Sequence, residues 1–422
     1  MLTSDQPAPD SRRSWLLLAT LVVGYMGVYL CRKNLSVAVP LLRAEFHATK
    51  EEIGRVASAG TLAYAVGKMV LCPLVDRFGG RRGFVTSLTA VTLFGLAGAF
   101  APSLGLLALL YAGNRFAAAP SWASMIKQIP PWFGPKNEGF AMALLSLSYV
   151  FGGVAAVAFA GQVAETGGQS WRLVMGVPAG VMAALLGLCW LVLPRSRPAA
   201  AGPGSGHQGF SWLLVRELLA VRSFWIICAL SFTLTLLRET FNDWTVDFIK
   251  TEGGTGLSTR VAAFLSTPFD LCGAAGILLM GILISRLPAR ARAGLLAGSL
   301  GLLVLTLLAL PHLLPLGLGA IVPAVGLIGL LSLGPYSLLA GYFAVELRGP
   351  ACAGTVAGIV DSVGYLAGIL AGSAFGWLLD HGGYTLGFHV LAGLSLVATG
   401  LALFLEIHPR LVSAPPHEHS AS

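Results

Sequence analysis

Apolar and polar positions alternate along this chain on the scale of whole helices. A hydrocarbon layer roughly 30 Å thick takes about 20 helical residues to cross. Apolar runs of that order lie near 15–40, 53–75, 84–101, 104–126, 139–163 and 172–193, and again near 223–242, 261–284, 294–311, 316–343, 352–379 and 386–407. The pattern predicts an all-α membrane protein with twelve transmembrane helices in two six-helix bundles, residues 15–193 and 223–408. A polar tail (1–14), a linker (194–222) and a second tail (409–422) complete the chain. The linker opens with the Pro/Gly/Ser-rich "PRSRPAAAGPGSGHQGF", which cannot pack a core, whereas the following "WLLVRELL" is suited to an amphipathic surface helix. The run beginning at Trp15 lacks a small-residue cleavage site, so it reads as a retained span.

Composition agrees with this solvent. Hydrophobic residues make up 55% of the 422 and charged residues 11%, with mean hydropathy +0.78, a balance that excludes a soluble globular domain. The 53 glycines suit close helix packing in lipid. The formal charge of +8 does not point to nucleic acid, because the basic residues are spread over short loops. One set of alternate loops, holding Arg77, Arg81, Arg82, Arg195, Arg197, Arg286, Arg290 and Arg292, carries the excess, and this predicts cytoplasmic termini. The six cysteines lie in or beside apolar runs without metal-ligand spacing, so neither metal nor cofactor is expected.

The halves repeat. Asp76-Arg77 opens a basic loop after the second run, and Ser285-Arg286 opens one after the eighth, 209 residues on. Arg32 and Arg238 sit deep in the first run of each half, 206 residues apart. Two landmarks with nearly one offset argue for parallel repeats.

A cation in mid-span costs about 2.5–3.5 kcal/mol on insertion scales, so it normally lines a cavity or pairs with a carboxylate. At 100° per residue Tyr25, Tyr29, Arg32 and Ser36 share one stripe, as do Thr61, Tyr64 and Lys68, and Ser231, Arg238 and Asn242. Three such stripes favour a shared site for a small anion, and arginine's fixed fork suits bidentate phosphate recognition. Carboxylate or sulfate would also fit, and pairing across helices is the structural alternative. Lys33 and Lys127 are expected to snorkel to an interface. The Asp76, Arg77, Arg81 and Arg82 loop lies far from mid-span; it is expected to control conformational switching, with topology anchoring as the simpler reading.

The stretches "GYMGVYLCRKNLSVAVP" (24–40), "YAVGKMVLCPLVDRFGGRR" (64–82), "LLRETFNDW" (236–244) and "LGPYSLLAGYFAVELRGPACAGTVAGIVDSVGYLAG" (333–368) resemble the organophosphate:phosphate antiporter family, within the major facilitator superfamily. The resemblance implies that fold, and exchange of an organic phosphate for inorganic phosphate by alternating access. It further implies that Arg32 and Arg238 hold the phosphate, with Lys68, Tyr25, Tyr29, Tyr64 and Tyr365 lining the cavity. The expected location is the bacterial inner membrane, as a monomer in lipid. Departures put substrate identity in doubt. Tyr149 stands where members such as the glycerol-3-phosphate transporter have a fifth-span histidine, Trp122 is followed by "ASMI", and Leu333 precedes Gly334-Pro335. Arg115, Glu239 and Asp361 are unexpected charges. Asp361 shares a stripe with Tyr365 and is expected to pair with Arg115 or Lys68, to be protonated, or to meet a cationic group on a zwitterionic substrate.

Proton-coupled carriage of another anion is the main alternative, with Asp361, Asp270 and Glu239 as candidate carriers of protons. A non-transporting sensor is a second class, expected to bring an added soluble domain or long tail. A membrane enzyme would need a nucleophile–base pair or metal cluster within the spans, and none is evident.

Overall fold

The computed structural model describes residues 11–129, 132–133, 135–194, 216, 218–254, 256–339 and 353–407. Most of the linker, including most of "WLLVRELL", residues 1–10 of the first tail and all of the second tail lie outside the described residues, as do the side chains of Asp76, Arg77 and Arg290; residues 11–14, expected in the polar tail, open the first helix.

In chain order the helices are α1 (Ser11–Phe46), α2 (Lys50–Phe78), α3 (Gly80–Ala99), α4 (Leu104–Ala118), α5 (Ser121–Ile126), α6 (Pro135–Thr166), α7 (Trp171–Val192), α8 (Arg222–Glu252), α9 (Thr259–Arg286), α10 (Ala289–Leu313), α11 (Leu318–Leu339) and α12 (Ala353–Ile407). A 3₁₀ turn at Leu314–Leu316 joins α10 to α11. Among the described residues eight helices are long and apolar enough to cross a membrane. The last of these bends at Gly383 (φ 65°), where the left-handed conformation suits glycine, and so supplies two membrane-length arms. With α2, α6 and the α4–α5 pair, the described helices supply the twelve predicted segments. The helices outrun the apolar windows: α1 continues to Phe46 and α8 to Glu252, because backbone hydrogen bonding continues into the polar layer where hydropathy has already fallen.

The fourth span departs from its expectation as one continuous helix over 104–126. It breaks at Ala119–Pro120, where Pro120 lacks the N–H that would continue the ladder. The freed carbonyls find other donors. The Ser87 hydroxyl donates to the Ala117 carbonyl, and the Cys72 thiol lies 3.8 Å from the Ala119 carbonyl.

The described residues group into two compact units. The first lies within Met1–Ala48, Arg55–Pro203 and Ser258–Phe264; the second lies within Thr49–Gly54, Gly204–Leu257 and Leu265–Ser422. In the first unit α1 packs on α6 and α7, and α3 on α4 and α7. Asn114 on α4 donates to the Val91 carbonyl on α3 at 2.8 Å, satisfying a buried amide inside the bundle. In the second unit α8 and α10 both pack on α12. Trp244 on α8 donates its indole N–H to the Ala371 carbonyl at 2.9 Å. Here α9 meets α11 backbone to backbone: a Cβ on Gly334 would stand 2.8 Å from the Gly276 carbonyl, and one on Gly329 would overlap the Phe269 carbonyl. With no water to expel, such contacts are what hold helices together in lipid. Gly329→Leu is accordingly expected to destabilise by about 1–3 kcal/mol or more through overpacking, read as a lower thermal midpoint of the purified protein. An unchanged midpoint would show that α9 and α11 can move apart freely.

Candidate functional site

In the first unit the predicted stripes of α1 and α2 converge on one tyrosine. The Arg32 guanidinium carbon lies 5.6 Å from the Tyr64 ring centroid and 5.5 Å from that of Tyr29, and the Lys68 ammonium lies 5.4 Å from Tyr64. These separations fall in the range where a cation is attracted to a ring face. Tyr25, on the same face of α1, makes an edge contact with Tyr29 at 5.4 Å and interacts electrostatically with Tyr29, Tyr64, Arg32 and Lys68. Arg32, Lys68, Tyr25, Tyr29 and Tyr64 therefore belong to one cluster. Tyr149 is half-buried on α6, one turn before Gly152, where a Cβ would stand 3.3 Å from Tyr29 Cβ.

The second unit has a different balance. Arg238 lies in mid-α8 with its side chain 17% exposed, over the Tyr336 ring at 4.4 Å. Its Nη2 donates to Glu239 at 2.6 Å, while its Nε is buried without a hydrogen-bond partner. Arg238 also interacts electrostatically with Tyr365 and Asp361. Asp361 accepts a hydrogen bond from the Tyr336 hydroxyl at 3.3 Å. Asp361 thus meets an arginine and a tyrosine of its own unit. Glu239 is 4% exposed and ion-paired to Arg238. Asn242 is half-buried one turn beyond Arg238, and Asp270 is half-buried on α9.

Two basic residues donate to backbone carbonyls. Arg81 donates from Nε to the Leu193 carbonyl at 2.8 Å and from Nη2 to the Trp190 carbonyl at 3.0 Å, satisfying the C-terminal end of α7. Lys127 donates to the Val75 carbonyl at 3.3 Å. Arg82 is exposed. Lys33 is 7% exposed, so its side chain stays within the protein and does not snorkel to an interface as expected.

Three aromatic contacts were not anticipated. Tyr336 follows Gly334-Pro335, so the ring that reaches Arg238 comes directly after the proline. Trp122 meets Tyr25 at a tilt, ring centroids 5.6 Å apart, and the Tyr111 hydroxyl donates to the Arg32 carbonyl at 3.1 Å. No single-helix stripe could signal these, because each partner comes from a different span. Among the described residues no group of His, Cys, Asp and Glu is arranged to hold a metal ion.

These helices, with a charged cluster in each unit, define a multi-pass integral membrane protein. The sequence profile described as Major Facilitator Superfamily matches residues 21–372, and the chain belongs to that superfamily. It is similar to the membrane sensor protein UhpC of Salmonella typhimurium, at 27% identity over all of this chain and 97% of that protein. It is also similar to a glycerol-3-phosphate transporter of Bacillus subtilis, at 24% over 90% of this chain and 89% of that one. A hexose-6-phosphate:phosphate antiporter of Salmonella typhimurium matches at 24% over 87% and 84%. Among solved structures, an inward-facing, unoccupied bacterial homologue of the human lysosomal transporter Spinster superposes with TM-score 0.81 at 15% identity, covering 96% of this chain and 99% of that one. That likeness concerns the fold.

Proposed function

We propose that this protein is a secondary transporter that exchanges a small phosphorylated organic anion for inorganic phosphate by alternating access. The observation that carries the proposal is the convergence of Arg32, Lys68, Tyr25 and Tyr29 on Tyr64 within α1 and α2. Half-buried cations beside tyrosine hydroxyls and rings make a site complementary to a phosphoryl group. Arg238, with a buried Nε lacking a partner, is the corresponding arginine of the second half of the repeat. The relatives named for glycerol-3-phosphate and hexose-6-phosphate support the substrate class, and the one named an antiporter supports exchange. Tyr365, Tyr149, Asn242 and Asp361 complete the proposed lining, with Asp270 and Glu239 as candidates for proton coupling. Asp76, Arg77, Arg81 and Arg82 are assigned to conformational switching, with both termini cytoplasmic and the protein acting as a monomer in lipid.

A sensor reading is favoured by one specific observation. The relative named a membrane sensor is matched over 97% of its length, so the expectation that a sensor brings an added soluble domain does not separate the two readings. Counterflow does separate them. Proteoliposomes loaded with unlabelled phosphate should accumulate labelled phosphate, with phosphate monoesters competing. Binding of those anions without counterflow would establish the sensor, and uptake driven only by a pH gradient would establish proton coupling.

A further inference from the structure

We infer that Arg115 is an anion ligand of the first unit, adding a third cationic donor beside Arg32 and Lys68 and selecting phosphoryl dianions over monoanions; this rests on the anion-exchange reading. Arg115 occupies the last turn of α4 and is 3% exposed. Its guanidinium carbon stands 4.5 Å from the centroid of Tyr64, the ring that Arg32 and Lys68 also approach. Its stem passes where a Cβ on Gly60 of α2 would come within 3.0 Å of Arg115 Cγ, so a glycine admits it to the cluster.

Ring contact engages the face of a guanidinium and leaves its five N–H donors at the edge. One edge is unanswered: Arg115 Nη1 is buried without a hydrogen-bond partner. A buried donor in that state is costly, and charged ones more so. The structural alternative is that Arg115 offsets the negative end of α4. The carbonyls there are served by other groups: Ser87 donates to Ala117, the Cys72 thiol approaches Ala119, and the Ala119 N–H closes on Phe116. None of them accepts from Nη1. The second observation is the break itself. Interrupted helix at membrane depth is tolerated where it is buried in protein or lines a cavity, and transporters place such interruptions at their binding sites. Here the interruption at Ala119–Pro120 begins four residues after Arg115.

The ligand follows from counting acceptors. A phosphate monoester presents three terminal oxygens and about −1.5 to −2 charges at neutral pH. A diester presents two oxygens and one charge. An extra arginine is used by the first and is superfluous to the second.

Calorimetric titration of the purified protein with inorganic phosphate, methyl phosphate, dimethyl phosphate and sulfate tests this. Arg115→Gln is expected to weaken methyl phosphate and inorganic phosphate about 10- to 100-fold, the loss of one or two charge-assisted hydrogen bonds, and dimethyl phosphate by under about 3-fold. Arg115→Lys should fall between, keeping charge without the fork. If Arg115→Gln fails to fold, Arg115→Lys decides by the same monoester-to-diester ratio. Unchanged monoester affinity overturns the inference while leaving phosphate exchange intact. Equal losses for monoester and diester also overturn it, assigning Arg115 to the positioning of Tyr64. If wild-type protein binds sulfate in an Arg115-dependent manner but not phosphate, the ligand assignment stands and the exchange reading falls; if it binds none of the four, both fall.

Discussion

Arg32→Lys and Arg238→Lys are each expected to reduce phosphate counterflow by about 100-fold or more while the protein still inserts and purifies in folded form. Lysine keeps the charge, so the loss isolates geometry. A guanidinium offers two parallel N–H donors to two phosphate oxygens, and an ammonium offers a point charge on a flexible stem. Hydrogen bonds to charged groups contribute about 1.5–3 kcal/mol each, so losing one or two accounts for the size of the effect. The two arginines should differ in detail. Arg238 is held by Glu239 at 2.6 Å through Nη2, and its Nε remains for a ligand. Lysine at 238 would also disturb a carboxylate that is 4% exposed, so Arg238→Lys should lower thermal stability as well as exchange. Near-normal counterflow by Arg32→Lys would remove the phosphate-fork assignment at that position.

The fold was largely legible because membrane solvation imposes a simple rule on sequence. Each span must satisfy its own backbone, so span number and helical type follow from apolar run length. The stripes on α1 and α2 were legible for a related reason: a cation in an apolar run is anomalous, and helical periodicity identifies its same-face neighbours. What periodicity cannot supply is the partner from another helix. Tyr336 beside Arg238, Trp122 beside Tyr25 and Tyr111 beneath Arg32 all depend on how helices rotate and approach. In lipid those choices turn on glycine contacts such as Gly329 against Phe269, which have no hydropathy signature. The break in the fourth span did have a signal, Pro120, but an unbroken hydropathy window hid it. Lys50 lies just before the second apolar window, where hydropathy carries no signal of its burial.

Asp247→Asn is expected to destabilise the protein by about 3–5 kcal/mol, the cost of breaking a buried ion pair by removing one partner. The pair lies in the second unit, where Lys50 Nζ stands 3.1 Å from Asp247 Oδ2 with side chains 8% and 1% exposed. Asp247 also accepts the Tyr384 hydroxyl at 2.6 Å and interacts electrostatically with Lys250, one turn on. Lys50 lies 4.0 Å over the Tyr384 ring, and its backbone N–H donates to Asp380 Oδ1 at 3.0 Å. These contacts set an order of effects. Removing Asp247 leaves Lys50 buried without its carboxylate partner, whereas Lys50→Met leaves Asp247 with the Tyr384 hydroxyl and Lys250, so the aspartate variant should be the less stable. The double variant Lys50→Met/Asp247→Leu removes both charges together and should recover most of the loss, because two apolar side chains need no compensation. Thermal midpoints and denaturant titrations of the three proteins in one detergent give the comparison. An Asp247→Asn protein within about 0.5 kcal/mol of wild type would show that the pair behaves like a solvated surface bridge. A double variant no better than Asp247→Asn would transfer the effect from the charge pair to the Tyr384 hydrogen bond.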